Sequence, residues 1–149
     1  MTRIHHEITA NCPPERVWAY LGDLEAVAKY NPTVKAATIR GPKRSGVGAV
    51  RACELAPKGH IVERVTHWED GMAVGLEVSE SDWPIHFMRW VTRLEGHGNA
   101  TRITQNLEYR VKFGPLGWLL DNLVMRKKLT ATLDQVFAAL VRHAEASHG

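Results

Sequence analysis

Residues 98–146 read GNATRITQNLEYRVKFGPLGWLLDNLVMRKKLTATLDQVFAALVRHAEA, a strand pattern followed by a helix pattern. Apolar and polar residues alternate over 100–111, as in a strand with one buried face. After Phe113-Gly114-Pro115 no further proline occurs before Ala146, and the sequence predicts one helix of roughly 30 residues, about 45 Å long. Such a helix needs a sheet to cover its apolar stripe. We therefore expect a sheet packed against one C-terminal helix.

The apolar stripe of this helix recurs at a spacing of 3.6 residues and is interrupted by Arg126-Lys127-Lys128. We expect the sheet to cover the stripe. A solvated helix face explains the basic run, and a collar that meets anionic lipid or a partner protein is the alternative. The members of the stripe are Leu116, Leu119, Leu120, Leu123, Leu133, Val136, Phe137, Leu140 and Val141.

The rest of the chain reads as one strand, two short helices and a strand meander. A strand at 3–10 is followed by a helix from about Pro14 to Leu21, and Asp23 is a plausible N-cap for a second short helix that ends before Asn31-Pro32. Regular turn signals then separate runs rich in Val, Ile, Thr and Trp. The predicted strands lie near 34–40, 48–56, 60–68, 72–80, 86–95 and 100–111.

Alternation also predicts which side chains of the last two strands face inward. Ile103, Leu107 and Tyr109 share one face of the final strand, while its charged residues share the other. In the strand before it, Met88 and Trp90 take the inner face together with Leu94. The pattern indicates an α+β fold with seven antiparallel strands.

Length and composition favour one soluble domain over residues 1–149. The net charge of +3 is spread along the chain, which does not indicate nucleic-acid binding. Cys12 and Cys53 lack the spacing of a zinc site or a disulfide framework. The first residues lack the apolar region of a signal peptide, and no window reaches the length of a membrane span. We expect a cytoplasmic protein without metal or integral membrane segment.

Four short phrases lie in order on these elements: Ala10 to Trp18, Gly46 to Arg51, Val62 to Asp70 and Gly98 to Thr104. With the order of strand, two helices, meander and long helix, the chain resembles the helix-grip or START-like superfamily. That superfamily holds polyketide cyclase/dehydrase-like proteins, lipid-transfer domains and pollen-allergen-like proteins. The resemblance covers nearly the whole chain and implies a curved seven-stranded antiparallel sheet around the C-terminal helix, with two short helices between strands 1 and 2.

The resemblance implies an internal cavity for a small hydrophobic molecule such as a lipid, an isoprenoid or a polyketide-like compound. A strongly bent sheet cannot touch a straight helix along its full length, which leaves apolar interior space for the same physical reason. One alternative is a polyketide cyclase, aromatase or dehydratase that acts on such a molecule. Another is a non-catalytic protein-interaction module, and transient membrane contact stays open. Whether the protein is an enzyme is left open, because fold analogy supplies a class of ligand and not a reaction.

Bulky and aromatic residues are the candidates for the cavity wall, although each is also a candidate for ordinary core packing. Five tryptophans in a chain of this length supply broad faces for a flat or ring-bearing ligand. The candidates are Trp18, Tyr30, Trp68, Trp83, Met88, Trp90, Tyr109, Phe113, Leu116, Trp118, Leu119, Leu120 and Leu123.

Arg51 and Glu63 are the sharper candidates for ligand contact. Alternation places both charges on the interior face of neighbouring antiparallel strands, where they would meet the polar end of a ligand together with Tyr109. A register shift of one residue would put both on the solvent face instead.

Three residues are weak candidates for moving a proton in the enzymatic alternative: Glu63, Tyr109 and His86. The unperturbed pKa of His86 lies near neutrality, although a lone histidine at the start of a strand is more often a surface group. The sequence has no dinucleotide fingerprint, P-loop, H-E-x-x-H or G-x-S-x-G motif, and we expect no cofactor.

Overall fold

The structure is a computed structural model and describes residues 1–146. Seven antiparallel strands form one curved sheet in the order β1-β7-β6-β5-β4-β3-β2, so the first strand pairs with the last. The predicted helix-grip fold is confirmed, and the last three residues of the expected single domain lie outside the described part. The strands are β1 Thr2–Ala10, β2 Val34–Arg40, β3 Val50–Leu55, β4 His60–Glu69, β5 Ala73–Ser81, β6 Ile85–His97 and β7 Ala100–Val111.

Two short helices and a 3₁₀ turn connect β1 to β2. Helix α1 spans Pro14–Leu21 and begins with proline, whose missing N–H is not needed in a first turn. The 3₁₀ turn Leu24–Ala26 is capped by Asp23, whose side chain accepts a hydrogen bond from the backbone N–H of Glu25, and it leads into α2, Val27–Tyr30. The predicted role of Asp23 as N-cap is confirmed.

The C-terminal helix runs from Gly114 to Ala146 in three parts. These are α3, Gly114–Leu120, the π-helical segment Asp121–Met125, and α4, Arg126–Ala146. Helix α4 buries Val136, Phe137 and Leu140 in the main core against the sheet.

The sheet does not cover the first half of the apolar stripe, and the expectation of full coverage was wrong. Leu116, Leu119 and Leu123 are exposed, whereas Gly117 and Asp121 are buried in their place. The π-helical segment contains a wider turn, which shifts the helical phase, so residues before and after it do not share one face. A regular spacing of 3.6 residues therefore predicts the wrong set of buried residues in the part of the helix before Asp121.

The predicted faces of β6 and β7 are confirmed. Ile103, Leu107 and Tyr109 are buried, while Arg102 and Arg110 are exposed. Met88 packs with Leu107 and Tyr109 in a smaller apolar cluster beside the main core.

Gly117 fixes the close approach between α3 and the end of β7. A Cβ at this position would lie 1.8 Å from the backbone carbonyl oxygen of Lys112. No side chain fits at that distance, and a backbone carbonyl cannot rotate away as a flexible side chain would. The start of the C-terminal helix therefore depends on a glycine at this position.

We expect Gly117→Ala to lower the free energy of unfolding by about 1–3 kcal/mol or more, because the backbone must move to admit the methyl group. Urea unfolding followed by circular dichroism measures this loss. Ala131→Leu, an exposed position of α4, is the control and should change stability by less than about 0.5 kcal/mol. Equal stability of Gly117→Ala and wild type would contradict the observed approach of α3 to β7.

Candidate functional site

A pocket of about 140 Å³ lies between the sheet and the C-terminal helix. Its wall is mainly apolar, and several lining residues, among them Asn31, Thr33, Leu129 and Thr132, are only half-buried. Trp83, Trp90 and Leu133 are half-buried as well. The apolar part of the wall includes Leu21, Val27, Leu55, Ile61, Val74, Leu76, Leu107, Leu133, Val136, Phe137 and Leu140.

Six of the residues predicted as wall or ligand contacts line this pocket. They come from α2, from the three strands β3, β4 and β6, and from the connection between β5 and β6. Main-chain pairing places β3, β4, β5 and β6 side by side, which is why residues distant in the sequence meet here. The six are Tyr30, Arg51, Glu63, Trp83, Met88 and Trp90.

Arg51 and Glu63 form a buried ion pair in the pocket wall. They are directly opposite each other in the β3–β4 register and are only 5% and 6% exposed, which rules out the shifted register. Arg51 Nε donates to Glu63 Oε1 at 2.6 Å, and Arg51 Nη1 donates to the carbonyl oxygen of Leu24 at 3.1 Å. The pair therefore links the sheet to the 3₁₀ turn before α2.

The charge of this pair changes the ionisation of its neighbours. Burial opposes the charged form of Arg51, but the Glu63 carboxylate raises the pKa of Arg51 above its ordinary value. Burial, followed by the negative charge of Glu63, raises the pKa of Cys53 to about 12. Burial also raises the pKa of Tyr30, with the charge of Arg51 acting in the opposite direction. At neutral pH the phenol of Tyr30 in the pocket wall is therefore neutral, and so is the thiol of Cys53 beside Glu63.

Thr92 and Gln105 are two polar lining residues that the sequence reasoning missed. Gln105 Nε2 donates to Thr92 Oγ1 at 3.0 Å, and both side chains are buried. Within the described chain Gln105 Oε1 has no hydrogen-bond partner. Alternation in β7 was the available signal, because Gln105 shares the inner face with Ile103 and Leu107.

Trp18 and Trp68 do not line the pocket. Their rings pack edge to face with centroids 5.2 Å apart, and both half-buried side chains lie against the main core. Trp18 and Trp68 therefore match the alternative given for the aromatic residues, which is ordinary core packing and not a place in the cavity wall.

Tyr109 is fully buried but faces the C-terminal helix and not the pocket. Its hydroxyl donates to Asp121 Oδ1, and the hydroxyl of Thr2 donates to Asp121 Oδ2. Burial, followed by the hydrogen bond to Asp121, raises the pKa of Tyr109 above its ordinary value. The Asp121 carboxylate thereby ties the π-helical segment to β1 and β7.

The remaining predicted residues lie on the outside of the protein. His86 is exposed at the start of β6. Leu120 is half-buried, and the others of this group are exposed at the start of the C-terminal helix: Phe113, Leu116, Trp118, Leu119 and Leu123. None of them lines the pocket, because the covered face of this segment belongs to Gly117 and Asp121.

Residues 1–146 contain no group of three or more His, Cys, Asp or Glu side chains arranged to hold a metal ion. No helix in that range combines the length and the apolar character needed to cross a bilayer.

The family model described as polyketide cyclase/dehydrase and lipid transport matches residues 1–145. No curated protein sequence matches the chain significantly. The assignment of the chain to a family therefore rests on the match to this family model.

Three solved structures show the same fold at low sequence identity. Protein TTHA0849 from Thermus thermophilus is 19% identical with a TM-score of 0.82, over 99% of this chain and 100% of that one. XoxI from Bacillus cereus is 13% identical with a TM-score of 0.78, over 99% and 100%. Ara h 8.0201 is 13% identical with a TM-score of 0.77, over 98% and 99%. At these identities the similarity establishes the fold alone.

A double-mutant cycle on the buried pair tests its energetic coupling. We expect Arg51→Met and Glu63→Met each to lower the free energy of unfolding by about 3–5 kcal/mol, because each leaves one buried charge without its partner. The double variant should lose much less than the sum of the two. The exposed pair Arg102 and Glu7 is the control, with a coupling of about 0.2–1 kcal/mol. Additive losses at Arg51 and Glu63 would contradict the buried pair.

We expect Tyr109→Phe to destabilise the fold by about 1.5–3 kcal/mol at neutral pH, because the Asp121 carboxylate loses a donor. The raised pKa of Tyr109 contributes stability that is present below the unfolded tyrosine pKa of about 10 and is lost as the pH rises through the folded pKa. The difference between wild type and Tyr109→Phe should therefore shrink above about pH 10. Urea unfolding at neutral pH and above about pH 10 measures this difference in the free energy of unfolding. Tyr20→Phe, which changes a half-buried tyrosine, is the control. A constant difference would refute the raised pKa of Tyr109.

Proposed function

Because the chain belongs to the polyketide cyclase/dehydrase and lipid transport family, we propose that it binds a small, largely apolar molecule between the sheet and the C-terminal helix. The wall is mostly apolar and carries a few convergent polar groups, the usual composition of a small-molecule site. Lipid, isoprenoid and polyketide-like molecules have this chemistry.

The ion pair of Arg51 and Glu63 is the observation that carries the proposal. Apolar residues of similar volume often give equal or higher stability than a buried ion pair, so stability alone does not explain the pair. Facing a pocket, the two side chains can orient a polar group of the ligand. We therefore assign the polar end of the ligand to the side of the pocket formed by β3 and β4.

Gln105 supplies a second polar contact in the proposal. An unpartnered buried amide oxygen costs about 1–3 kcal/mol, which a hydrogen bond from a ligand would recover. A hydroxyl group suits this position, because it can donate to the amide oxygen and accept from the amide nitrogen. The favoured ligand therefore has an apolar body and at least one hydroxyl or similar polar group.

The volume of the pocket limits the part of the ligand that it encloses. Small-molecule sites commonly have volumes of about 300–1,000 Å³, and an apolar cavity of about 150 Å³ holds a benzene molecule. The observed pocket, about 140 Å³, accommodates a group of the size of one aromatic ring. A longer ligand would extend beyond the pocket, and we place its exit beside the half-buried Leu129 and Thr132.

Catalysis on the same ligand is the second candidate function, and the ionisable Glu63 and Tyr30 in the pocket wall support it. A cyclase, aromatase or dehydratase would use the pocket to fold a reactive chain and Glu63 to move a proton. Tyr109 and His86, the other candidates for this role, lie away from the pocket. A non-catalytic interaction module is the third candidate and needs no ligand.

Native mass spectrometry, followed by organic extraction, tests the proposal. We expect one apolar compound per chain or, for an empty protein, a rise in melting temperature with members of a hydrophobic panel. Incubation with the compound identified, followed by chromatography and mass spectrometry, then separates the two functions: an unchanged compound supports binding, whereas conversion that is lost in a Glu63→Gln variant shown to be folded by circular dichroism supports catalysis. An empty protein without any thermal response would favour the interaction module.

A variant that fills the pocket provides a structural control. We expect Thr132→Phe to abolish the thermal response to the panel, because the aromatic ring takes up the volume that the ligand needs. Thr130→Phe, two residues earlier on the exposed side of α4, should respond like wild type. Equal responses of the two variants would place the ligand elsewhere.

A further inference from the structure

The start of the C-terminal helix presents an exposed apolar face, formed by Phe113, Leu116, Trp118, Leu119, Leu123 and Val124. Their side chains are between 45% and 68% exposed. Nine large apolar residues are exposed within residues 1–146, and six of them belong to this face. The other three are scattered, as single exposed apolar residues normally are. This concentration marks an interaction surface.

The backbone holds this face outward. Gly117 approaches the carbonyl of Lys112, and Asp121 is bound by Tyr109 and Thr2, so the opposite side of the helix is attached to the sheet. Phe113 adopts a left-handed conformation with φ of 75°, which a residue other than glycine adopts at a cost of about 1–2 kcal/mol. The exposure is thus built into the fold and does not come from a loose end.

Basic residues flank the apolar face in the sequence. Residues 110–128 contain five cationic residues and one acidic residue, Asp121, which is buried. Lys127 and Lys128 follow Leu123 and Val124 by four residues and therefore lie on the same side of the helix. The five cations, all exposed, are Arg110, Lys112, Arg126, Lys127 and Lys128.

We propose that this apolar face binds the surface of a bilayer that contains anionic lipids. The apolar side chains enter the boundary between headgroups and acyl chains, and the basic residues contact the headgroups. Trp118 and Phe113 suit this boundary because aromatic side chains concentrate there. The helix lies on the membrane and does not cross it.

Charge complementarity favours a membrane over a second copy of the chain. A symmetric dimer through this face would bring Lys127 and Lys128 of one copy near those of the other, and like charges at an interface oppose association. An anionic bilayer supplies the opposite charge and the apolar layer at the same time. The membrane therefore matches both properties of the face.

Docking would place the pocket near the lipid. Leu129 lies five residues after Val124, about 7.5 Å along the helix, and it lines the pocket with Thr132 and Leu133. A ligand could then pass between bilayer and pocket without crossing bulk water. This consequence rests on the proposed function, whereas the docking itself does not.

Sedimentation with vesicles tests the proposal on the full chain. We expect binding to phosphatidylcholine vesicles that contain phosphatidylserine, weaker binding to phosphatidylcholine alone, and weakening by salt. Lys127→Gln with Lys128→Gln should reduce binding about 30-fold, from two lost contacts at the lipid surface. Leu116→Ser with Trp118→Ser should reduce it at least tenfold.

Matched variants elsewhere on the surface control for general effects. Val47→Ser with Met72→Ser removes two other exposed apolar residues, and Lys35→Gln with Lys58→Gln removes two exposed charges. Both should bind vesicles like wild type, and circular dichroism should show every variant folded, since all the positions are exposed.

Two outcomes would overturn the proposal. One is equal binding to vesicles with and without phosphatidylserine, or no binding to either. The other is a dimer in light scattering that the Leu116→Ser, Trp118→Ser variant converts to monomer, which would assign the face to a second copy. Ligand retention, measured by native mass spectrometry without vesicles, reports on the pocket alone and separates failure of docking from failure of the proposed function.

Discussion

The packing of α4 against the inner face of the sheet is the interaction on which the rest of the structure depends. Phe137 and Leu140 of this helix are buried in the main core, opposite residues such as Val65 and Ile103 of the strands. The short helices add Leu21 and Val27 to the same core, but they do not fill the space where α4 and the sheet diverge. The pocket lies between helix and sheet and takes its apolar wall from both.

Three buried polar groups have different roles in the interior. Asp121 receives two hydroxyl donors and anchors the helix, and Arg51 is bound by Glu63 and by a backbone carbonyl. The amide of Gln105 differs from these two, since its oxygen is buried in the pocket wall without a partner. Saturated polar groups fix a fold, whereas an unsaturated one leaves bonding capacity that a bound molecule can use.

The sequence predicted the fold better than the site, and particular residues show why. Alternation identified the inner faces of β6 and β7 and the interior position of Glu63, because a period of two has only two phases. Gln105 lies on the inner face of β7 but was missed, because the residues expected on that face are apolar and Gln105 is polar. The leucines before Asp121 were misplaced because a π-helical turn leaves no mark in the spacing of apolar residues.

The π-helical segment also bears on how related sequences are compared. A π turn holds about one residue more than an α turn, and each residue of an α-helix advances the azimuth by about 100°. In a relative whose helix is α-helical throughout, residues equivalent in space to Leu116 and Trp118 would stand one place nearer in sequence to α4. An alignment of the two chains must therefore open a one-residue gap within 121–125, inside an element where gaps are normally penalised. Without that gap, the positions before Asp121 would be compared with residues on the wrong side of the helix.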